Sequence, residues 1–192
     1  NNLLRFPQAK SANAIYGTLI HTVLQHAHSH LAASGTRKPI EDITGEFIRL
    51  LHQQELSDND LALYSKRGIE TLEAFLGAKY DTFTPSQKPE LSFAGQGVVL
   101  GQARLTGSLD LVDIDSQTIT VTDYKTGKPS TSWTGKSDYE KIKLHKYRQQ
   151  LMFYELLCAN SRDYAKYDFG GAVLQFVEPD SRGDICQLDD RF

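Results

Sequence analysis

Apolar side chains in the first third of the chain recur at helical spacing. Ile15, Leu19, Ile20, Val23, Leu24, Ala27 and Leu31 form one stripe, and Ser34-Gly35 ends the run. Ile43, Phe47, Ile48 and Leu51 mark a second helix. Ser57-Asp58 supplies a cap for a third, which carries Leu61, Tyr64, Ile69, Leu72, Phe75 and Leu76. Thr82 to Pro89 is a polar connection. From Glu90 the pattern shortens to β-branched segments between turn residues: Leu91-Ser92-Phe93, Gly97 to Leu105, Gly107 to Ile114 and Thr118 to Lys125. Asp115-Ser116-Gln117 predicts a hairpin turn. Gly127-Lys128-Pro129 opens a Ser/Thr/Gly loop before a helix from about Tyr139 to Asn160, and Ala172 to Val177 and Asp184 to Leu188 are closing strands at a sheet edge. Helices, a strand meander, a helix and further strands predict an α/β or α+β sandwich around a central sheet.

The length of 192 residues suits a single domain over 1–192, with a helical lobe over 1–80 and a sheet-and-helix core over 90–190. Lys and Arg number 21 against 24 Asp and Glu, a net charge of −3, so any contact with nucleic acid must come from a local patch. The one local basic excess is Lys136, Lys141, Lys143, Lys146 and Arg148 against Asp138 and Glu140. Two cysteines, Cys158 and Cys186, are too few for a disulfide scaffold or a four-thiolate zinc or iron–sulfur site. No apolar run approaches the roughly 18 residues of a membrane span and no signal-peptide pattern opens the chain, so a cytoplasmic protein with no membrane partner is expected. The start at Asn1, without Met, suggests a domain excised from a longer chain.

The strand Thr118 to Lys125 alternates its faces, which places Ile119, Val121, Asp123 and Lys125 together. An apolar face thus ends in a carboxylate and an ammonium. A plain exposed ion pair is one reading; the apolar face upstream favours a buried pair with a task. Asp110 lies thirteen residues earlier, and a hairpin about Asp115-Ser116-Gln117 brings it beside Asp123. Two adjacent carboxylates repel unless a divalent cation joins them, and oxygen ligands suit magnesium or manganese. A neighbouring lysine can orient water or stabilise charge on a pentavalent phosphate. Asp113 falls on the opposite face and reads as a turn or solvent residue.

Two helical pairs accompany this strand. Gly17 and His21 are four apart on one face, with Gly17 permitting close approach of another backbone and His21 either a metal ligand or a core histidine. Gln150 and Tyr154 are likewise four apart, preceded by Lys143, Lys146 and Tyr147, and offer hydrogen bonds and charge to a phosphodiester. Their alternative is a core tyrosine beside a surface glutamine. His26 and His30 have zinc-compatible spacing, but no further Cys/His cluster completes a site, which leaves His26, His28 and His30 as surface histidines.

Gly107-Ser-Leu-Asp110 followed by Asp123-Tyr-Lys-Thr-Gly127 resembles the core of the PD-(D/E)xK nuclease superfamily, in its RecB-like branch. Gly17-Thr-Leu-Ile-His21 resembles that branch's upstream G-x-x-x-H, and Gln150-Leu-Met-Phe-Tyr154 its downstream Q-x-x-x-Y. All four blocks stand in order between residues 17 and 154. Leu109 replaces the superfamily's Pro, Asp123 stands where Glu is also used, and Glu90 matches a frequent acidic position of the branch.

The resemblance implies a restriction-endonuclease-like fold, a mixed central sheet flanked by helices with an N-terminal helical lobe carrying His21. It implies Mg²⁺ or Mn²⁺ held by His21, Asp110, Asp123 and the Tyr124 carbonyl, with Asp110, Asp123 and Lys125 catalytic. Gln150, Tyr154, Lys143 and Lys146 would face DNA, and Gly17 and Glu90 would be accessory. The implied activity is hydrolysis of single-stranded DNA from an end, in DNA repair or recombination. Such a domain commonly forms the C-terminal module of a UvrD-like helicase or a helicase–nuclease complex. The iron–sulfur cluster of some relatives is not expected here. Other relatives have lost the catalytic set and only bind DNA or a partner; the presence of Asp110, Asp123 and Lys125 favours cutting.

Overall fold

Ser11 Oγ accepts the Ala14 N–H at 3.2 Å and starts α1 (Ala12–Ser34), which stops where the Gly35 N–H caps the Leu31 carbonyl. The computed structural model describes residues 11–190, so the first ten residues of the predicted lobe, and residues 191–192, lie outside the described residues. α2 (Ile40–Leu51) and α3 (Asp58–Lys79) follow, the latter capped by Ser57 Oγ accepting the Asp60 N–H at 3.1 Å. Caps of this kind each contribute about 1 kcal/mol. The predicted apolar stripes face one another. Tyr16, Ile20 and Leu24 of α1 pack with Phe47 of α2 and with Leu72 and Phe75 of α3.

The strands are β1 (Lys88–Ser92), β2 (Val99–Leu100), β3 (Ala103–Arg104), β4 (Ser108–Asp115), β5 (Thr118–Lys125), β6 (Asp168–Pro179) and β7 (Ile185–Asp190), with α4 (Asp138–Ala159) between β5 and β6. Five form one mixed sheet in the order β1-β4-β5-β6-β7, antiparallel except for the parallel β5–β6 pair. The β4–β5 hairpin turns through Ser116-Gln117 as predicted, pairing Asp115 with Thr118.

Three expectations need correction. Lys88 and Pro89 belong to β1 rather than to the connection before it; β1 is an edge strand, where a proline costs no ladder bond. Gly97 to Leu105 is not one strand but the small β2–β3 hairpin, because Gly101 at φ 61° reverses the chain. β6 is interior, lying between β5 and β7, and only β7 closes the edge.

The sheet separates two cores. Leu111 and Tyr124 face the helical lobe, whereas Leu109, Val112, Ile119 and Val121 face α4 through Leu151, Tyr154 and Leu157. This is the predicted mixed sheet flanked by helices, with α1–α3 on one face and α4 on the other. Among the described residues no helix is long and apolar enough to cross a membrane.

Candidate active site

The site forms where the pairing of β4 with β5 runs out. The ladder ends at Leu111 opposite Thr122, and one step further brings Asp110 level with Asp123. On the other side of β4, the pairs Pro89–Leu111 and Leu91–Leu109 bracket Glu90 and Asp110. Three carboxylates, on β1, β4 and β5, therefore share one row across the sheet. Face alternation also breaks here: Leu111 points to the lobe but Leu109 and Val112 to α4. Asp110 sits at the break, and Glu90 opposite it adopts a left-handed φ of 49°. Asp110 Oδ2 lies 3.2 Å from His21 Nδ1 on α1 and accepts the Tyr124 N–H at 2.9 Å.

Asp123 points the other way, into a closed set of donors. Tyr154 donates its hydroxyl to Asp123 Oδ1, and Gln150 Nε2 donates to the same oxygen at 2.9 Å and to the Tyr154 hydroxyl. Lys125 Nζ stands 2.7 Å from Asp123 Oδ2 and donates to Gln150 Oε1 at 2.8 Å. Lys125 also sits 5.0 Å from the centroid of the Tyr147 ring. The carboxylate is 2 % exposed, so the bare exposed ion pair is the wrong reading of this strand end. Tyr154 belongs to the core and to the polar network at once: its ring is buried and its hydroxyl serves Asp123.

Burial raises the Asp123 carboxyl above the usual carboxylate range; Lys125 opposes the rise and Asp110 adds to it. Burial pulls His21 down, but the hydrogen bond and charge of Asp110, helped by Asp123, outweigh it and its affinity for a proton rises. Burial and the Asp110 charge both push Glu90 up, against His21. Burial and the Asp123 charge raise Tyr154, which stays a phenol and keeps its proton for donation. Negative charge thus dominates the row, and the site favours bound cations.

Gly17 is where α1 closes on the strand end: a Cβ there would stand 3.0 Å from Thr126 Oγ1. The close neighbour is a side chain rather than the predicted backbone. Lys143 Nζ lies 5.5 Å from the Tyr147 ring centroid and donates to the Lys128 carbonyl at 3.5 Å, while Lys146 is exposed. Two other members of the basic excess are already paired, Arg148 with Asp190 at 2.9 Å and Lys141 with Asp138 at 3.0 Å. His28 is not a surface histidine. It is 1 % exposed, stacks on Phe83 at 3.7 Å and hydrogen-bonds the Tyr124 hydroxyl through Nε2 at 2.9 Å. His26 pairs with Glu46 at 2.7 Å instead of joining His30 around zinc.

Glu178, at the end of β6, was not singled out from sequence. It binds Arg67 through both oxygens, at 2.7 and 2.9 Å, and accepts the Gly127 N–H at 2.7 Å, fixing the chain just past Lys125. A carboxylate directly after the largely apolar stretch Ala172 to Val177 is the available signal, a charge that ends an apolar face as Asp123 does.

Among the described residues no three His, Cys, Asp or Glu side chains close into a metal-binding group. The donor chemistry nonetheless suits a hard divalent cation: two carboxylates, an imidazole, and a buried Asp123 Oδ2 whose one close partner is the Lys125 ammonium. In this structure the Lys125 ammonium supplies positive charge beside Asp123, and His21 is the partner of Asp110. A comparison with curated proteins returns no match. A family model of the PD-(D/E)XK nuclease superfamily matches residues 1–187, and the chain belongs to that superfamily.

Proposed function

We propose that the chain is a metal-dependent deoxyribonuclease of the RecB-like branch, hydrolysing single-stranded DNA from an end. The observation that carries this reading is the contact set of Asp123, in which Lys125, Gln150 and Tyr154 converge on one buried carboxylate level with Asp110. A module that only binds DNA has no need of that buried charge, which costs free energy unless it is paired or used. Asp110, Asp123, His21 and the Tyr124 carbonyl are the groups that would hold Mg²⁺ or Mn²⁺. When bound, such a cation polarises the phosphoryl group and lowers the pKa of water. Lys125 positions the attacking water and offsets charge in the transition state, and Gln150 holds the ammonium in place through Oε1. Tyr154 keeps the Asp123 carboxylate oriented by donating to it.

A helicase in the same chain or complex, acting in repair or recombination, is the proposed partner, because the net charge of −3 gives this domain little reach for DNA by itself. The unpaired Cys158 and Cys186 suit a reducing compartment such as the cytoplasm. The test is Mn²⁺-supported cleavage of end-labelled single-stranded DNA by the wild type and by Asp123→Ala, alongside thermal melting. Loss of cleavage in a folded Asp123→Ala protein is expected. Wild-type rates in that variant would overturn the assignment.

A further inference from the structure

Beyond the carboxylate row, a cleft of about 800 Å³ opens between the loop after β5, the first turns of α4 and the β6–β7 turn. We propose that this cleft carries the phosphodiester backbone of the single strand to or from the site; the proposal rests on the nuclease reading above. Its lining contains four cations, Arg67, Lys128, Lys136 and Arg182, and three carboxylates, Glu140, Glu178 and Asp180. Counted as formal charges this is nearly balanced, but the hydrogen bonds divide the two sets differently.

Every carboxylate is already engaged by donors of the protein. Glu178 grips Arg67 and the Gly127 N–H. Glu140 Oε2 accepts the Lys136 and Ser137 N–H groups at 2.8 and 3.3 Å, part of the capping box that starts α4. Asp180 Oδ1 accepts the Arg182 and Asp184 N–H groups at 2.8 and 3.0 Å and so ties the β6–β7 turn. Of the cations, only Arg67 is spent in this way. Lys128, Lys136 and Arg182 are exposed; the charges of the two lysines act on Glu140 and that of Arg182 on Asp180, but none of the three forms an ion pair among the described residues. They approach the cleft from two different loops, and Ser130 and Thr131 lie in the lining with them. Free ammonium and guanidinium groups with hydroxyl donors suit phosphate oxygens and carry no sequence information.

A chain of contacts joins this cleft to the carboxylate row. The Tyr147 ring has Lys125 Nζ at 5.0 Å and Lys143 Nζ at 5.5 Å, and Lys143 Nζ reaches on to the Lys128 carbonyl. Leu144, which lines the cleft, precedes Gln150 by six residues, about 9 Å along the helix axis. A backbone leaving Lys125 would therefore pass Lys143 before it meets Lys128, Lys136 and Arg182 in the cleft.

The experiment compares the wild type with a Lys128→Ala/Lys136→Ala/Arg182→Ala protein, using fluorescent oligothymidylates of increasing length without added divalent metal. Anisotropy is measured across a salt series. Wild-type affinity should grow with length as the strand reaches the cleft, and the triple variant should flatten that growth. Its salt slope on long strands should fall by up to about 2, about a 100-fold smaller loss of affinity per tenfold rise in salt. Unchanged thermal melting would confirm that the exposed substitutions act on binding. Equal slopes and equal length dependence, with a wild type that binds DNA, would overturn the cleft and leave the nuclease reading standing. A wild type that neither binds nor cleaves any strand would bring down both. Selective loss of inorganic phosphate or mononucleotide binding, with long strands unaffected, would make the cleft a product site and overturn the proposed path.

Discussion

His28 makes acid a specific threat to this fold. Its ring is 1 % exposed, stacked on Phe83 and joined through Nε2 to the Tyr124 hydroxyl, while Nδ1 is buried without a hydrogen bond. Burial pushes its pKa from 6.5 down to about 4. Between those values the unfolded chain binds a proton at His28 that the folded chain refuses. Stability must therefore fall as the pH drops from 6.5 toward 4, and the loss attributable to this one residue is about 3 kcal/mol. His21 works in the opposite sense. Its folded pKa is raised, so its contribution is complete below its unfolded pKa and fades as the pH climbs through the folded value. The total curve mixes these effects with the carboxylates, and a difference measurement isolates His28. His28→Phe keeps the stack on Phe83 and removes the titration, but leaves the buried Tyr124 hydroxyl without a partner, a cost of about 1–3 kcal/mol. Urea unfolding of both proteins at constant ionic strength should find the wild type more stable at pH 7, with the gap closing by pH 4. Parallel stability curves from pH 7 to 4 would refute the reasoning.

Two substitutions probe the two sides of the carboxylate row. Tyr154→Phe removes a donor to a buried carboxylate and should cost about 1.5–3 kcal/mol of stability, measured by urea unfolding, together with a fall in kcat. An unchanged kcat would confine Tyr154 to packing. His21→Ala should raise the Mn²⁺ concentration needed for half-maximal cleavage while leaving activity at saturation, since a neutral imidazole contributes less than the carboxylates; unaltered metal dependence would make His21 only the structural partner of Asp110.

What was legible in the sequence follows from how local each constraint is. A two-residue hairpin fixes the β4–β5 register, which brings Asp110 level with Asp123, and the period of two then puts Asp123 and Lys125 beneath α4. The break in alternation that turns Asp110 to His21 is not in that pattern. Helical spacing alone sets Gln150 and Tyr154 on one side of α4, where both meet Asp123. His28 was equally local: it lies on the stripe of Leu24, Ala27 and Leu31, and reading it as a surface residue gave its chemical type more weight than its position. The same holds for β6. Its run from Ala172 to Val177, apolar except for the buried Gln175, is the pattern of a strand covered on both faces, not of an edge.

Glu178 is different in kind. No turn links β6 to β5; they pair in parallel across the whole of α4, and that register, with Lys125 opposite Phe176, decides that Glu178 arrives at Gly127. Arg67 comes to the same carboxylate from α3, more than a hundred residues away in sequence. Periodicity could mark Glu178 as a charge ending an apolar face but could not supply its partners. The cleft has the same origin, since Lys128, Lys136 and Arg182 meet only because β6 and its turn come back alongside the loop after β5. Carboxylates held by one hairpin can thus be read from a single segment of chain, whereas the surface proposed to guide DNA to them is assembled by the crossover and appears only once the sheet has closed.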